Sequence, residues 1–218
     1  MKLLLTSAGL SNKSIISAFL ELAGKSFTEL NLAFIPTAAN VEKGDKSWFI
    51  DDLINLKNLG FKSIDIVDIS AMSQDIWKPR LEQAEILYFE GGNTFHLMHW
   101  VEKSGLKELL PEMLKTKVYV GVSAGSMVAC KSLDLSTSER LYSEEIMEHE
   151  KDEGLGFLDV LIRPHLNSPY FPDVNLENLE KMSKEFPETF YAIDDNTAIK
   201  VVDEKMEVIS EGVWKKFN

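Results

Sequence analysis

The sequence predicts an α/β fold, a mostly parallel sheet with helices on both faces, and three observations carry that prediction. Short apolar runs alternate along the chain with longer amphipathic stretches of helical period. One run, Val118-Tyr119-Val120-Gly121-Val122, turns abruptly through Gly121-Val122-Ser123-Ala124-Gly125 into a small-residue helix start. Glycine and polar clusters fall at the carboxyl ends of the runs, where an open parallel sheet forms its binding crevice.

Taken in order, Lys2 to Thr6 reads as a first buried strand, too short for a signal-peptide core or a membrane span. Lys13 to Ala23 follows with helical period, its apolar face supplied by Ile15, Ile16, Phe19, Leu20 and Leu22. Leu32 to Ile35 is the next strand and Trp48 to Leu59 the next helix. Ser63 to Ile69 and Ile86 to Phe89 repeat the strand signal with a short helical stretch between them, and Val118 to Val122 leads into the turn at Ser123. Ser126-Met127-Val128-Ala129-Cys130 continues as a buried helix; Leu158 to Arg163 is a strand that stops at Pro164.

The chain has 218 residues with 44% hydrophobic content, enough to bury one sizeable core, so residues 1–218 are expected to form a single domain. Its lone cysteine, Cys130, excludes an internal disulfide and a multi-cysteine metal site, and its place after the turn marks it as a core residue. With 23 basic and 35 acidic residues, the net charge of −12 argues against nucleic-acid and anionic-membrane partners, which favour basic patches. The expectation is a soluble, cytoplasmic protein.

The Gly-x-Ser-x-Gly segment has the form of a nucleophile elbow, a strained strand-to-helix turn that exposes a serine hydroxyl at the end of a sheet. Ser123 is therefore the candidate nucleophile. At a second strand end, Glu90-Gly91-Gly92-Asn93-Thr94 on its own reads as an ordinary glycine turn. Beside an elbow, the amides of Gly91 and Ala124 can form an oxyanion hole, Asn93 can offer a side-chain amide, and Thr94 can cap the following helix.

A serine nucleophile needs a base, and four histidines are available. His96 and His99 read as half-buried helix residues without a third metal ligand, and His149 lies in the charged run Glu144 to Glu153, which reads as a solvated face or loop. His165 follows Arg163-Pro164 on a loop at a sheet edge and is the preferred base. The orienting carboxylate is best sought in Tyr191-Ala192-Ile193-Asp194-Asp195-Asn196-Thr197-Ala198-Ile199, with Asp195 preferred because Asp194 points to the opposite face of a continuing strand. Turn chemistry is the competing reading of this acidic cluster.

Phe89-Glu90-Gly91-Gly92-Asn93-Thr94-Phe95, Gly121-Val122-Ser123-Ala124-Gly125, Arg163-Pro164-His165 and Asp194-Asp195-Asn196-Thr197-Ala198 together resemble peptidase E, the α-aspartyl dipeptidases, and their cyanophycinase-like relatives. The motifs occur in the family's order and span most of the chain. The resemblance implies a class I glutamine-amidotransferase-like fold, a Ser-His-acid peptidase mechanism and no metal or other cofactor. By position it marks Ser123 as nucleophile, His165 as base, Gly91 and Ala124 as oxyanion donors, and Asp195 as the acid where the dipeptidase has glutamate. Another assignment within the family places the acid after the nucleophile helix; the matching position here is Ser138, with Asp134 and Glu139 nearby.

The same resemblance implies short peptides as substrates, dipeptides with N-terminal aspartate among them. Such a substrate calls for local positive charge, and Arg163 is the first candidate because it shares a face with His165 if the strand continues; Lys131 and Arg140 follow. An exposed structural salt bridge is the competing reading of Arg163. Two other classes share the fold: a cysteine-elbow amidotransferase, against which Ser123 speaks, and a non-catalytic small-molecule or peptide-binding protein that keeps the crevice without the triad.

Overall fold

The structure, a computed structural model, describes residues 1–144, 151–185, 187–203 and 205–218. Its strands are β1 (Lys2–Thr6), β2 (Asn31–Ile35), β3 (Ser63–Ile66), β4 (Ile86–Phe89), β5 (Val118–Val122), β6 (Leu161–Arg163), β7 (Phe190–Ile193), β8 (Thr197–Val202), β9 (Lys205–Ser210) and β10 (Trp214–Phe217). The described helices are α1 (Lys13–Ala23), α2 (Thr37–Val41), α3 (Ser47–Leu59), α4 (Gln74–Gln83), α5 (Thr94–Lys103), α6 (Leu106–Met113), α7 (Ala124–Met127), α8 (Leu135–Tyr142) and α9 (Leu176–Met182).

Seven strands form the main sheet in the order β3, β2, β4, β5, β1, β8, β9. The first five are parallel, while β8 runs antiparallel to β1 and β9 antiparallel to β8. The two-residue period of the strands supplies both faces. Leu4, Phe34, Tyr88 and Val120 pack with Ile15, Phe19 and Leu22 of α1 and Leu56 of α3, whereas Leu3, Leu5, Phe89 and Tyr119 pack with residues of α4, α5 and α6. The fold is thus a mostly parallel α/β sheet with helices on both faces. Among the described residues no helix is long and apolar enough to cross a membrane.

The local reading needs correction in four places. β3 stops at Ile66, short of Ile69, because the chain turns at Asp68, whose Oδ1 accepts from the Ser70 amide and the Thr37 hydroxyl, each at 2.9 Å. The helix after Ser123 is a single turn. Val128, Ala129 and Cys130 give their carbonyls to the amides of Leu155, Phe157 and Gly156, so this stretch pairs with a distant segment and cannot continue helically. Leu158 makes only an isolated bridge to Cys130, and the strand before Pro164 begins at Leu161. Finally, the run around Asp194 and Asp195 is two strands in two sheets: β7 belongs to a small sheet of order β10, β7, β6, and β8 returns to the main sheet beside β1. Cys130 is buried, as expected of a core residue, and burial pushes its thiol up to about 12.

Candidate active site

The site collects at the carboxyl ends of β1, β4, β5 and β6 and just after β7. Between β5 and α7, Ser123 has φ 47° and ψ −107°, a conformation that side chains rarely adopt and that costs about 1–3 kcal/mol. Two glycines make the turn feasible. A Cβ on Gly121 would stand 2.5 Å from the Gly125 carbonyl oxygen, and one on Gly125 would collide with the Phe89 carbonyl. The turn is pinned from outside by the Ser126 hydroxyl, which donates to Thr6 O at 2.7 Å and Gly121 O at 2.9 Å, and by the Ser123 amide, which donates to Thr6 O at 3.0 Å.

Strand geometry brings the other two groups over. β6 and β7 are parallel neighbours with Arg163 beside Ala192, so the residues after each strand emerge at the same end. β8 pairs with β1, Ala198 opposite Thr6, which carries the Asp194-Asn196 turn to the end of β1 next to Ser123. His165 Nε2 lies 2.9 Å from Ser123 Oγ, and His165 Nδ1 lies 2.7 Å from Asp195 Oδ1. With an obligate acceptor at Nδ1, the tautomer assigned by these partners has its proton on Nδ1 and its lone pair on Nε2 facing the serine hydroxyl. Phe171 stacks on the imidazole at 4.5 Å between ring centres. Burial works against the charge on Asp195, but the hydrogen bond and charge of His165 and the hydrogen bond of Ser7 outweigh it and hold the carboxyl below its ordinary range.

Asp194, its neighbour, is a turn residue: its carboxylate accepts from the amides of Asn196 at 3.1 Å and Val213 at 2.6 Å and from the Thr197 hydroxyl at 2.6 Å. Ser138 is fully buried and donates to Leu133 O at 2.9 Å, while Glu139 is exposed.

Gly91 lies against Ser123, with the position of a Cβ on it 3.3 Å from Ser123 Cβ. Ala124 opens α7, so its amide is among the first helical N–H groups, which have no acceptor within the helix. Next to Gly91, Glu90 is buried, and Asp52, itself bonded by the Tyr88 hydroxyl at 2.7 Å, stands beside it. Burial, with the charge of Asp52 adding to it, pushes the Glu90 carboxyl well up.

Other expectations are met differently. The cap of α5 is Asn93, whose Oδ1 accepts from the His96 amide at 2.8 Å; Thr94 instead gives its amide and hydroxyl to Glu144 Oε1 at 2.8 and 2.7 Å. Glu144 therefore turns inward rather than forming part of a solvated run, its Oε2 enclosed without a hydrogen-bond partner among the described residues. Burial raises its pKa to about 7. His96 and His99 both lie against Trp100, and His149 falls outside the described residues. Arg163 does not share a face with His165, because β6 ends at Arg163 and His165 enters the left-handed region at φ 64°. Its guanidinium is buried and pairs with Asp134 at 2.6 Å; Lys131 and Arg140 pair at the surface with Asp159 and Glu185.

Ser7 is the participant that the sequence reading missed. It is buried at the end of β1, donates to Asp195 Oδ1 at 2.6 Å and accepts from the His165 amide at 2.8 Å. Its signal was available, since Thr6-Ser7-Ala8-Gly9 is a polar, glycine-containing strand end like those at Gly91 and Ser123.

The chain is similar to known proteins along nearly its whole length. Residues 3–209 match the model of peptidase family S51. An uncharacterized peptidase of Pasteurella multocida is 28% identical over 87% of this chain and 89% of its own length. The peptidase E of Shewanella oneidensis is 35% identical over 55% of this chain and 50% of its own. Among solved structures, a candidate peptidase E protein from Listeria monocytogenes superposes with a TM-score of 0.80 at 23% identity, covering 97% of this chain and 98% of that one, which matches the fold. A match of such extent, together with peptidase E relatives, carries the assignment: the chain belongs to peptidase family S51 and is a serine-type peptidase.

Proposed function

We propose that the protein hydrolyses short peptides through an acyl-enzyme formed on Ser123, with His165 as general base and Asp195 as the orienting acid. One observation carries the reading: the hydrogen-bonded series from Ser123 Oγ to His165 Nε2 at 2.9 Å and from His165 Nδ1 to Asp195 Oδ1 at 2.7 Å. In the acylation step Ser123 Oγ attacks the peptide carbonyl carbon while its proton passes to Nε2. The imidazolium formed is stabilised by the Asp195 carboxylate, and the oxyanion by the amides of Gly91 and Ala124. Nε2 then returns the proton to the departing amine, and water, activated by the same nitrogen, hydrolyses the ester.

For substrate, the motif resemblance favours dipeptides that begin with aspartate. Hydrolysis of a dipeptide library by the wild type and by Ser123→Ala tests both levels. Cleavage that begins with Asp-X peptides and disappears in the variant is the expected result. Cleavage that survives in Ser123→Ala removes the mechanism, and Ser123-dependent cleavage with no preference for Asp removes only the substrate class.

A further inference from the structure

The Ser7 hydroxyl joins the two groups that must be held still for proton transfer at Ser123. His165 is a non-glycine residue in the left-handed region, φ 64°, where the backbone is stable only if its surroundings hold it. Its amide donates to Ser7 Oγ at 2.8 Å, and the same oxygen donates its one proton to Asp195 Oδ1 at 2.6 Å. A serine hydroxyl offers one donor and two lone pairs, so both bonds form together and fix the backbone of the base relative to the carboxylate of the acid.

The frame around Ser7 is rigid. The residue is fully buried, and its amide bonds Thr197 O at 3.4 Å. Farther along the same loop, the Ser11 hydroxyl donates to Asp195 O at 2.8 Å and Asn12 Nδ2 to Asn196 O at 2.9 Å. The Asp195 turn is therefore held from the loop after β1 by three side chains, and of these only that of Ser7 also reaches His165. Because Asp195 is partly exposed, 42% for the side chain, water competes for its carboxylate, and a buried donor on the oxygen that faces the imidazole is what keeps that oxygen in place.

We infer that Ser7 is a positioning residue of this site, acting through the His165 backbone and the Asp195 carboxylate and not on substrate. The inference rests on the Ser123-His165-Asp195 reading. It has an electrostatic corollary: the Ser7 bond takes up part of the negative charge on Asp195 Oδ1. Without it more of that charge faces the imidazole, so protonation of the base is favoured and the acid limb of the rate profile moves to higher pH.

The test is the rate of Ser123 phosphonylation by a fluorophosphonate probe, followed from pH 5 to pH 9 in wild type, Ser7→Ala, Ser7→Cys and Ser123→Ala, with circular dichroism on each. Ser7→Ala is expected to slow labelling by about tenfold to a hundredfold, the size of one lost charge-assisted hydrogen bond, and to move the acid limb up. Ser7→Cys, which keeps a weak donor and acceptor, should fall between the two and serves alone if alanine unfolds the protein. A folded Ser7 variant that labels within twofold of wild type with an unshifted profile overturns the inference while leaving the triad standing. A wild type that does not label, or labelling that survives Ser123→Ala, overturns the triad reading and this inference with it.

Discussion

Arg163 donates to Asp134 Oδ2 at 2.6 Å, with the arginine side chain 3% and the aspartate 15% exposed, so the cation nearest in sequence to His165 is neutralised inside the protein. The pair lines a cavity of about 10 Å³ together with Leu161, Leu179, Met182 and Phe190, space for one water and none for a substrate carboxylate. Arg163→Met is therefore expected to cost stability, on the order of 3 kcal/mol because a charged partner is left behind. It should leave the ratio of Asp-X to Asn-X hydrolysis near that of wild type. Urea unfolding and dipeptide kinetics measure the two effects separately; a KM increase confined to Asp-X peptides in a fully stable variant would return Arg163 to the substrate pocket.

Ser123→Ala should abolish turnover and leave the fold intact. Among the described residues the hydroxyl bonds to His165 and to no other side chain, and the alanine keeps the Cβ around which the turn is built. Thermal melting within a few degrees of wild type, with no residual hydrolysis, is the expected outcome, and substantial residual hydrolysis contradicts it.

The two adjacent acids should separate cleanly. Asp195→Asn removes the acceptor that selects the imidazole tautomer and is expected to lower kcat on the order of 10³–10⁴-fold. Asp194→Asn weakens a turn held by Asn196, Thr197 and Val213, and should cost about 1 kcal/mol of stability with a small change in kcat. Equal losses of kcat in both variants would mean that Asp195 has no special part.

Glu144 makes stability depend on pH in a defined window. Its pKa is raised by burial from 4.5 to about 7, opposed by the hydrogen bonds from Thr94, so between these values the folded state holds a proton that the unfolded chain has released. Its contribution is fully present below about pH 4.5 and is lost as pH rises toward 7, about 3 kcal/mol in all. Glu144→Gln should remove this slope, so that urea midpoints of wild type and variant converge at low pH and diverge in favour of the variant toward neutrality. Parallel curves would show that Glu144 does not hold its proton in the folded state.

Much of the site is legible in the sequence because its chemistry is carried by local patterns. Gly-x-Ser-x-Gly after a β-branched run specifies its own turn, since only glycine at 121 and 125 allows the backbone to fold so closely around Ser123. Pro164 ends a strand before His165, and the Asp-Asp-Asn cluster marks a turn; neither requires knowledge of the rest of the chain. The helix after Ser123 is misjudged for the opposite reason. Val128 to Cys130 is apolar enough for a helix, but its carbonyls are taken by residues 155–157, a pairing that no periodicity encodes.

By itself, then, the sequence determined the layered α/β architecture, the strained serine and the segments able to supply a base and an acid, because hydrophobic period and turn chemistry act over a few residues. The tertiary structure alone decided which side chains meet. Ser7 reaches His165 and Asp195 across 158 and 188 residues because β1 lies beside β8 in the sheet order; Arg163 finds Asp134, and Glu144 finds Thr94, by the same kind of long-range closure. A side chain's partner depends on strand order and crossing loops, and these follow from burying the whole core at once and not from any segment read alone.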